Sequence, residues 1–300
     1  MNILITGAWQ CTKEQRDGIE KLGHRVCFLQ NEQNELPIPY ETVEAVICNG
    51  LFLWHPIERF VNLRYIQLTS AGFDRVPMEN VNARGIQIHN ARGVYSVPMA
   101  EFAVAGVLQL YKQSRYFAEN RKKHRWEKHR GLLELCGKHV CVVGCGSVGT
   151  ECAKRFAAFS CRVTGVDLFP REDGAYDWIL PMAAIADVLP ESDVVILTLP
   201  LTEESRHFLN RERLSSMKTG AVLVNIARGA IVDTAALTDW LREGRGAAVL
   251  DVFEQEPLSE DSPLWDMENV VLTPHNSFVG EGNGDRLFDV IERNLRDAEL

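Results

Sequence analysis

Gly144-Cys145-Gly146-Ser147-Val148-Gly149 follows an apolar run, His139–Val143, and opens a helical pattern, Val148–Phe159. Glycines spaced G-x-G-x-x-G in that setting meet three needs: a tight turn, close approach of backbone to a pyrophosphate, and close packing of helix on strand. The N–H groups at the start of the following helix then face the phosphates. Asp167 ends the next apolar run, 18 residues past Gly149. A carboxylate there accepts both ribose hydroxyls of NAD and repels the 2′-phosphate of NADP. Arg171 lies four residues further on and meets such a phosphate only if its loop curls back. NAD (NADH) is therefore expected ahead of NADP.

A second set of residue types lies downstream. Asn225-Ile226-Ala227-Arg228-Gly229 is followed by Val232-Asp233, by Leu250-Asp251-Val252-Phe253-Glu254-Gln255-Glu256-Pro257, and by Thr273-Pro274-His275. Upstream stand Ser70-Ala71-Gly72-Phe73-Asp74, the block from Asn90 through Glu101, and Pro200-Leu201-Thr202. In this order, over nearly the whole chain, the segments resemble the signatures of the D-isomer-specific 2-hydroxyacid dehydrogenases.

The resemblance implies interconversion of a small 2-keto acid and its D-2-hydroxy acid, with NAD as cofactor. That reaction needs a cation for the carboxylate and an acid for the developing alkoxide. Arg228, with a planar fork of donors, suits a carboxylate and can polarise the carbonyl. His275 suits the proton donor, since imidazole exchanges a proton near working pH. A carboxylate on the other ring nitrogen would orient it and favour imidazolium. Glu254 and Glu256 both stand near Pro257, and the family pattern assigns the role to Glu256. The pattern also implies that Ser147, Val148, Leu199, Ile226 and Ala227 contact NAD and that Asp251 lies near the nicotinamide ribose. Ala71 and Gly72 would receive the substrate carboxylate through backbone N–H groups, together with Arg228. Where phosphoglycerate dehydrogenases carry an arginine, this chain reads Asn49-Gly50-Leu51-Phe52-Leu53-Trp54, which implies an apolar pocket and no phosphate-binding cation.

The elements that must position these residues are legible as alternating patterns. Ile3–Ile5, Val26–Leu29, Ala45–Cys48, Tyr65–Leu68 and Ile86–Ile88 read as strands, with a helix over Glu14–Leu22 ended by Gly23. Helical spacing begins at Val97. A basic run, Arg121-Lys122-Lys123-His124-Arg125 with Lys128 and Arg130, reads as a solvated connection between domains. A second series then offers six strands: His139–Val143, Arg162–Val166, Asp193–Leu199, Ala221–Asn225, Ala247–Leu250 and Asn269–Leu272. Thr234–Glu243 reads as a helix with Asp233 as N-cap, and Asp285–Leu300 as a closing amphipathic helix. The class is α/β, with parallel sheets covered by helices. The resemblance implies two Rossmann-like or flavodoxin-like doubly wound domains with a cleft between them. Residues 1–91, completed by a C-terminal helix over 277–300, would form the substrate-binding domain, and 92–276 the NAD-binding domain. Hinges would fall near Arg92 and Asn276.

Composition sets the outer limits. Three hundred residues exceed what one simple core usually organises. A net charge of −9, from 32 basic and 41 acidic residues, argues against a nucleic-acid or membrane-surface partner. No apolar stretch approaches the ~18 residues of a membrane span, and no secretory leader is visible. The eight cysteines form no CxxC pair and read as reduced, mostly buried thiols in a cytoplasmic protein. His24, His55, His89, His124, His129, His139 and His207 have no motif around them, and no metal site is expected. Family members are commonly homodimers through the nucleotide domain. A second class remains open, a non-catalytic NAD(H)-sensing protein like the corepressors that resemble this family.

Overall fold

The apolar runs between residues 2 and 89 pair as one parallel sheet in a computed structural model that describes residues 1–298. Its strands are β1 (Asn2–Thr6), β2 (Arg25–Leu29), β3 (Ala45–Cys48), β4 (Tyr65–Leu68) and β5 (Gln87–His89). Their order is β2-β1-β3-β4-β5, the flavodoxin-like doubly wound arrangement. β3 and β4 are buried at every position, as strands covered on both faces must be. Helix α1 (Lys13–Lys21) starts at a reciprocal cap: Gln15 N–H donates to the Thr12 hydroxyl and Thr12 N–H to the Gln15 side chain. It ends where Gly23 takes a φ of +89°, a left-handed conformation that glycine adopts without strain. A short helix, α2 (Met78–Ala83), leads into β5.

From Ser96 the chain builds a second sheet. Helices α3 (Ser96–Tyr111) and α4 (Ser114–Lys122) precede β6 (His139–Val143), α5 (Ser147–Ala158), β7 (Arg162–Asp167) and β8 (Trp178–Pro181). Then come α6 (Ile185–Val188), β9 (Val194–Leu197), α7 (Arg211–Ser216), β10 (Ala221–Asn225), α8 (Thr234–Arg242), β11 (Gly246–Leu250) and β12 (Val270–Leu272). All seven strands are parallel, in the order β12-β11-β10-β9-β6-β7-β8. The sequence offers only six of them. β8 escapes because it is a four-residue edge strand that begins with an exposed Trp178 and ends in Pro181, so it lacks a buried apolar run. The expected N-cap of α8 is present, with Ala236 N–H donating to Asp233 Oδ1 at 2.9 Å.

The final helix, α9 (Asn283–Asp297), belongs to the first sheet's unit. Leu287, Ile291 and Leu295 recur every four residues and are buried with Ile3, Ile5 and Ile47. Each such side chain contributes roughly 1.5–3 kcal/mol. Trp9 stacks on Phe288, ring centroids 6.2 Å apart. The chain thus forms two units, Met1–Tyr95 with the segment from Gly280 onward, and Ser96–Val279. The sequence-based limits were 91/92 and 276/277, and the last two residues of the expected terminal helix lie outside the described residues. The basic run is a correction: it lies inside the second unit and is not a connection between the two. Trp126 within it is 97% exposed. Among the described residues no helix is long and apolar enough to cross a membrane.

Candidate active site

The glycine-rich turn joins β6 to α5, and its three glycines are needed for three different reasons. Gly144 has a φ of +95°, which the tight turn demands. A Cβ on Gly149 would stand 2.1 Å from the Gly144 carbonyl oxygen, so helix and strand meet there only with glycine. Nothing lies within 4 Å of a Cβ placed on Gly146, which leaves that backbone open to a pyrophosphate. Ser147 and Val148 begin the helix whose first N–H groups lack intrahelical acceptors. Leu199 packs over Gly144, its Cδ2 at 3.1 Å from the Cβ position. Asp167, at the end of β7, accepts the Cys145 N–H on Oδ2 at 2.6 Å and the Phe169 N–H on Oδ1 at 2.9 Å. The loop beyond does curl back: Arg171 Nη2 donates to the Cys145 carbonyl at 2.5 Å. Burial pushes the Cys145 thiol up to about 11, so the turn holds no thiolate at neutral pH.

On the other flank of the same sheet, β10, β11 and β12 are consecutive parallel neighbours. Arg228 follows the end of β10, Glu256 the end of β11 and His275 the end of β12. Function gathers at this edge of open α/β sheets. Asn225, buried at the tip of β10, accepts the Ala227 N–H and donates to the Arg228 carbonyl, which fixes the arginine's loop. Arg228 Nη1 donates to the Ala227 carbonyl at 2.8 Å. Gly229 then passes so close to the Phe253–Glu254 peptide that a Cβ would stand 1.9 Å from the Phe253 carbonyl carbon. Only glycine lets the two loops meet. In the second loop, Phe253 N–H donates to Glu256 Oε1 at 3.0 Å, and Glu256 Oε2 lies 2.8 Å from His275 Nδ1.

His275 is held in a left-handed conformation, φ +51°. Its own N–H donates to the Asp251 carbonyl at 2.7 Å. The Asp251 carboxylate accepts the Thr273 hydroxyl at 2.6 Å, the Asn276 N–H at 2.7 Å and the Ser277 N–H at 2.9 Å. Both sides of His275 are thereby pinned to Asp251, the residue after β11. Glu254 turns elsewhere, with Oε2 2.9 Å from His207 Nε2 and Oε1 accepting the Thr234 N–H at 2.8 Å. Burial alone would raise Glu254, but the hydrogen bonds from Thr234 and His207 outweigh it and hold the carboxyl below its ordinary value.

In the first unit, Ala71 and Gly72 lie in the loop after β4. Their carbonyls are tied back, the former by Asn90 Nδ2 at 2.6 Å and the latter by the Ser70 hydroxyl at 3.0 Å. Ala71 is exposed.

A family profile described as "D-isomer specific 2-hydroxyacid dehydrogenase, NAD binding domain" matches residues 104–277. This chain belongs to that dehydrogenase family. A glyoxylate reductase of Korarchaeum cryptofilum is 36% identical over 261 residues, 83% of this chain and 79% of the relative. Among solved structures, a D-lactate dehydrogenase of Aquifex aeolicus complexed with NAD and lactic acid is 25% identical with a TM-score of 0.77, covering 98% of this chain and 94% of that one. A D-isomer-specific 2-hydroxyacid dehydrogenase of Xanthobacter autotrophicus, in complex with NADPH and MES, is 26% identical with a TM-score of 0.80, covering 100% and 96%. Relatives named as reductases and dehydrogenases favour the enzyme over the non-catalytic sensing protein.

Two residues expected at the cofactor, Asp251 and Ile226, are buried. Asp251, expected at the nicotinamide ribose, has no exposed surface and holds the His275 segment from behind. Ile226, expected at the cofactor, is 1% exposed and packs in the core with residues of α3. Ala227 is nearly as buried. Two further residues have no signal of their own in the sequence: Thr198, whose hydroxyl donates to the Gly144 carbonyl at 2.5 Å and so clamps the turn, and His207, which draws Glu254 away from His275. Each acts through a bond to an element distant in sequence, which spacing cannot reveal.

Proposed function

We propose that this dehydrogenase interconverts a small 2-keto acid and its D-2-hydroxy acid with NAD(H), using Arg228, Glu256 and His275. The observation that supports it most directly is the 2.8 Å contact of Glu256 with His275 on strand ends next to that of Arg228. Gly144, Gly146, Ser147, Val148 and Gly149 form the pyrophosphate turn, Asp167 holds the adenine-side ribose, and Leu199, Ile226, Ala227 and Asp251 serve the nicotinamide side. When bound, the nicotinamide supplies or accepts the hydride. Arg228 binds the carboxylate and polarises the keto oxygen. Ala71 and Gly72 receive the carboxylate through backbone N–H groups. In reduction His275 gives its Nε2 proton to the developing alkoxide, while Glu256 on Nδ1 fixes the ring and stabilises its cationic form. In oxidation His275 takes the hydroxyl proton back.

NAD is ranked ahead of NADP because a carboxylate at the end of β7, Asp167, would repel a 2′-phosphate, although Arg171 beside the turn offers that phosphate a partner. Michaelis constants for NADH and NADPH test the ranking, and a clear preference for NADPH overturns it. The first unit is read as the substrate-binding domain and the second as the NAD-binding domain. The assembly proposed is a homodimer through the second unit, supported by the exposed Trp126, Leu132 and Leu133 beside its basic run, and light scattering tests it. The compartment proposed is the cytoplasm, supported by eight unpaired cysteines. Loss of NADH absorbance across a panel of 2-keto acids tests the reaction. Tight NADH binding with no turnover of any member would overturn it.

A further inference from the structure

Glu32 lies outside every motif, yet three donors converge on its carboxylate. Oε1 accepts the Thr6 hydroxyl at 2.7 Å and the Asn49 N–H at 2.8 Å, and Oε2 accepts the Gly50 N–H at 2.8 Å. Thr6 ends β1, while Asn49 and Gly50 follow β3. These two strands are neighbours at the point where strand order reverses in the first sheet. Ligands of open α/β sheets bind at such a crevice. Two backbone N–H groups and a hydroxyl are a donor set that suits an anion. Here the protein's own carboxylate takes all three.

We propose that Glu32 is a specificity residue that keeps a second negative charge out of the substrate's side-chain position, restricting the enzyme to 2-keto acids with uncharged side chains. The proposal rests on the reading of Ala71–Gly72 as the carboxylate-binding loop. Cys48 and Leu68 are register partners, so the loops after β3 and β4 leave the sheet side by side, about 4.8 Å apart. A substrate anchored on the β4 loop therefore extends its side chain toward Asn49–Trp54, and toward the carboxylate bonded to that loop's first N–H groups. The loop itself is apolar, with Leu51 buried and Leu53 and Trp54 exposed.

Glu32 is also fixed from its main chain. The buried His55 donates from Nε2 to the Glu32 carbonyl at 2.9 Å, and its Nδ1 lies 2.6 Å from the Tyr40 hydroxyl. Arg59 donates to that hydroxyl at 3.0 Å and stacks on the Tyr40 ring. A carboxylate held at both ends cannot swing away from an incoming anion. One cation competes: the Arg75 side chain lies over Gly50, its Cδ 3.6 Å from where a Cβ would stand. If Arg75 dominated, charged substrates would be preferred instead.

The test compares kcat/KM for matched 2-keto acids, 2-oxopentanoate against 2-oxoglutarate and hydroxypyruvate against its phosphate. The wild-type enzyme should favour the uncharged member by about a hundredfold, since like charges a few ångströms apart repel strongly at a partly shielded site. Glu32→Gln should narrow that ratio about tenfold, chiefly through the KM of the charged member, while Glu32→Asp, which keeps the charge, should preserve most of it. Arg75→Gln should not narrow it. A wild-type preference for the charged members overturns the proposal, as does a Glu32→Gln enzyme that loses rate on both members with the ratio unmoved. A wild-type enzyme that reduces neither kind overturns both this proposal and the reading beneath it.

Discussion

His275 and His207 each pair with a glutamate from the loop after β11, His275 with Glu256 at 2.8 Å and His207 with Glu254 at 2.9 Å. Both histidines are half-exposed, and both have positive φ, 51° and 49°. The two pairs differ in what surrounds them. His275 follows the end of β12, its N–H is bonded to the Asp251 carbonyl, and the buried Asp251 carboxylate gathers three further donors around it. The second pair ties a surface turn to the start of α8, because Glu254 also takes the Thr234 N–H. An imidazole–carboxylate contact is thus not chemistry in itself. Its anchoring to a row of strand ends is what distinguishes the first pair.

The largest effect expected is at His275. His275→Ala should lower kcat about 10³–10⁴-fold in both directions, as loss of a general acid–base does, while His207→Ala should change it less than about threefold. Equal losses in steady-state NADH assays would erase the distinction between the pairs. The next contrast is between the glutamates. Glu256→Gln should cost about 10–100-fold in kcat through misorientation of the ring, and Glu254→Gln little. A Glu254→Gln enzyme as impaired as Glu256→Gln would show that the two carboxylates share the role.

Asp251→Asn probes the support beneath the first pair. The amide turns a donor toward groups that also donate, so thermal unfolding should register a loss of about 1–3 kcal/mol, with kcat falling alongside. Unchanged stability would mean that the buried carboxylate does not hold the His275 segment. The smallest effect concerns the second pair and pH. Glu254 has a lowered folded value, so its stabilisation is present above the unfolded carboxyl range near ~4.3 and is lost as the pH falls through the folded value. Glu254→Gln should therefore be less stable than wild type by about 0.2–1 kcal/mol at neutral pH, with the gap closing in acid. A gap that widens in acid would reverse the sign assigned here.

Much of this was legible beforehand, for reasons tied to particular residues. β3, β4, β6 and β10 match their apolar runs residue for residue, because strands buried on both faces admit little else. The three glycines of the turn stood out because turn, approach and packing each exclude a Cβ. β8 did not stand out, since an edge strand with an exposed tryptophan has no such exclusion to show. Glu254 and Glu256 are equivalent by residue type and spacing, and only the family pattern pointed to Glu256; the loop's course sends Glu256 to His275 and Glu254 to His207.

The sequence by itself determined the α/β class, the dinucleotide turn and the residue types able to polarise a carbonyl and move a proton. These follow from local sterics and periodicity, which act over a few residues. Tertiary structure decided that Glu256 meets His275 and Glu254 meets His207, that the Asp251 carboxylate is buried beneath the His275 segment, and that Glu32 ties the end of β1 to the loop after β3. Those outcomes depend on hydrogen bonds between strand ends far apart in the chain, and only the assembled sheets bring such partners within 3 Å.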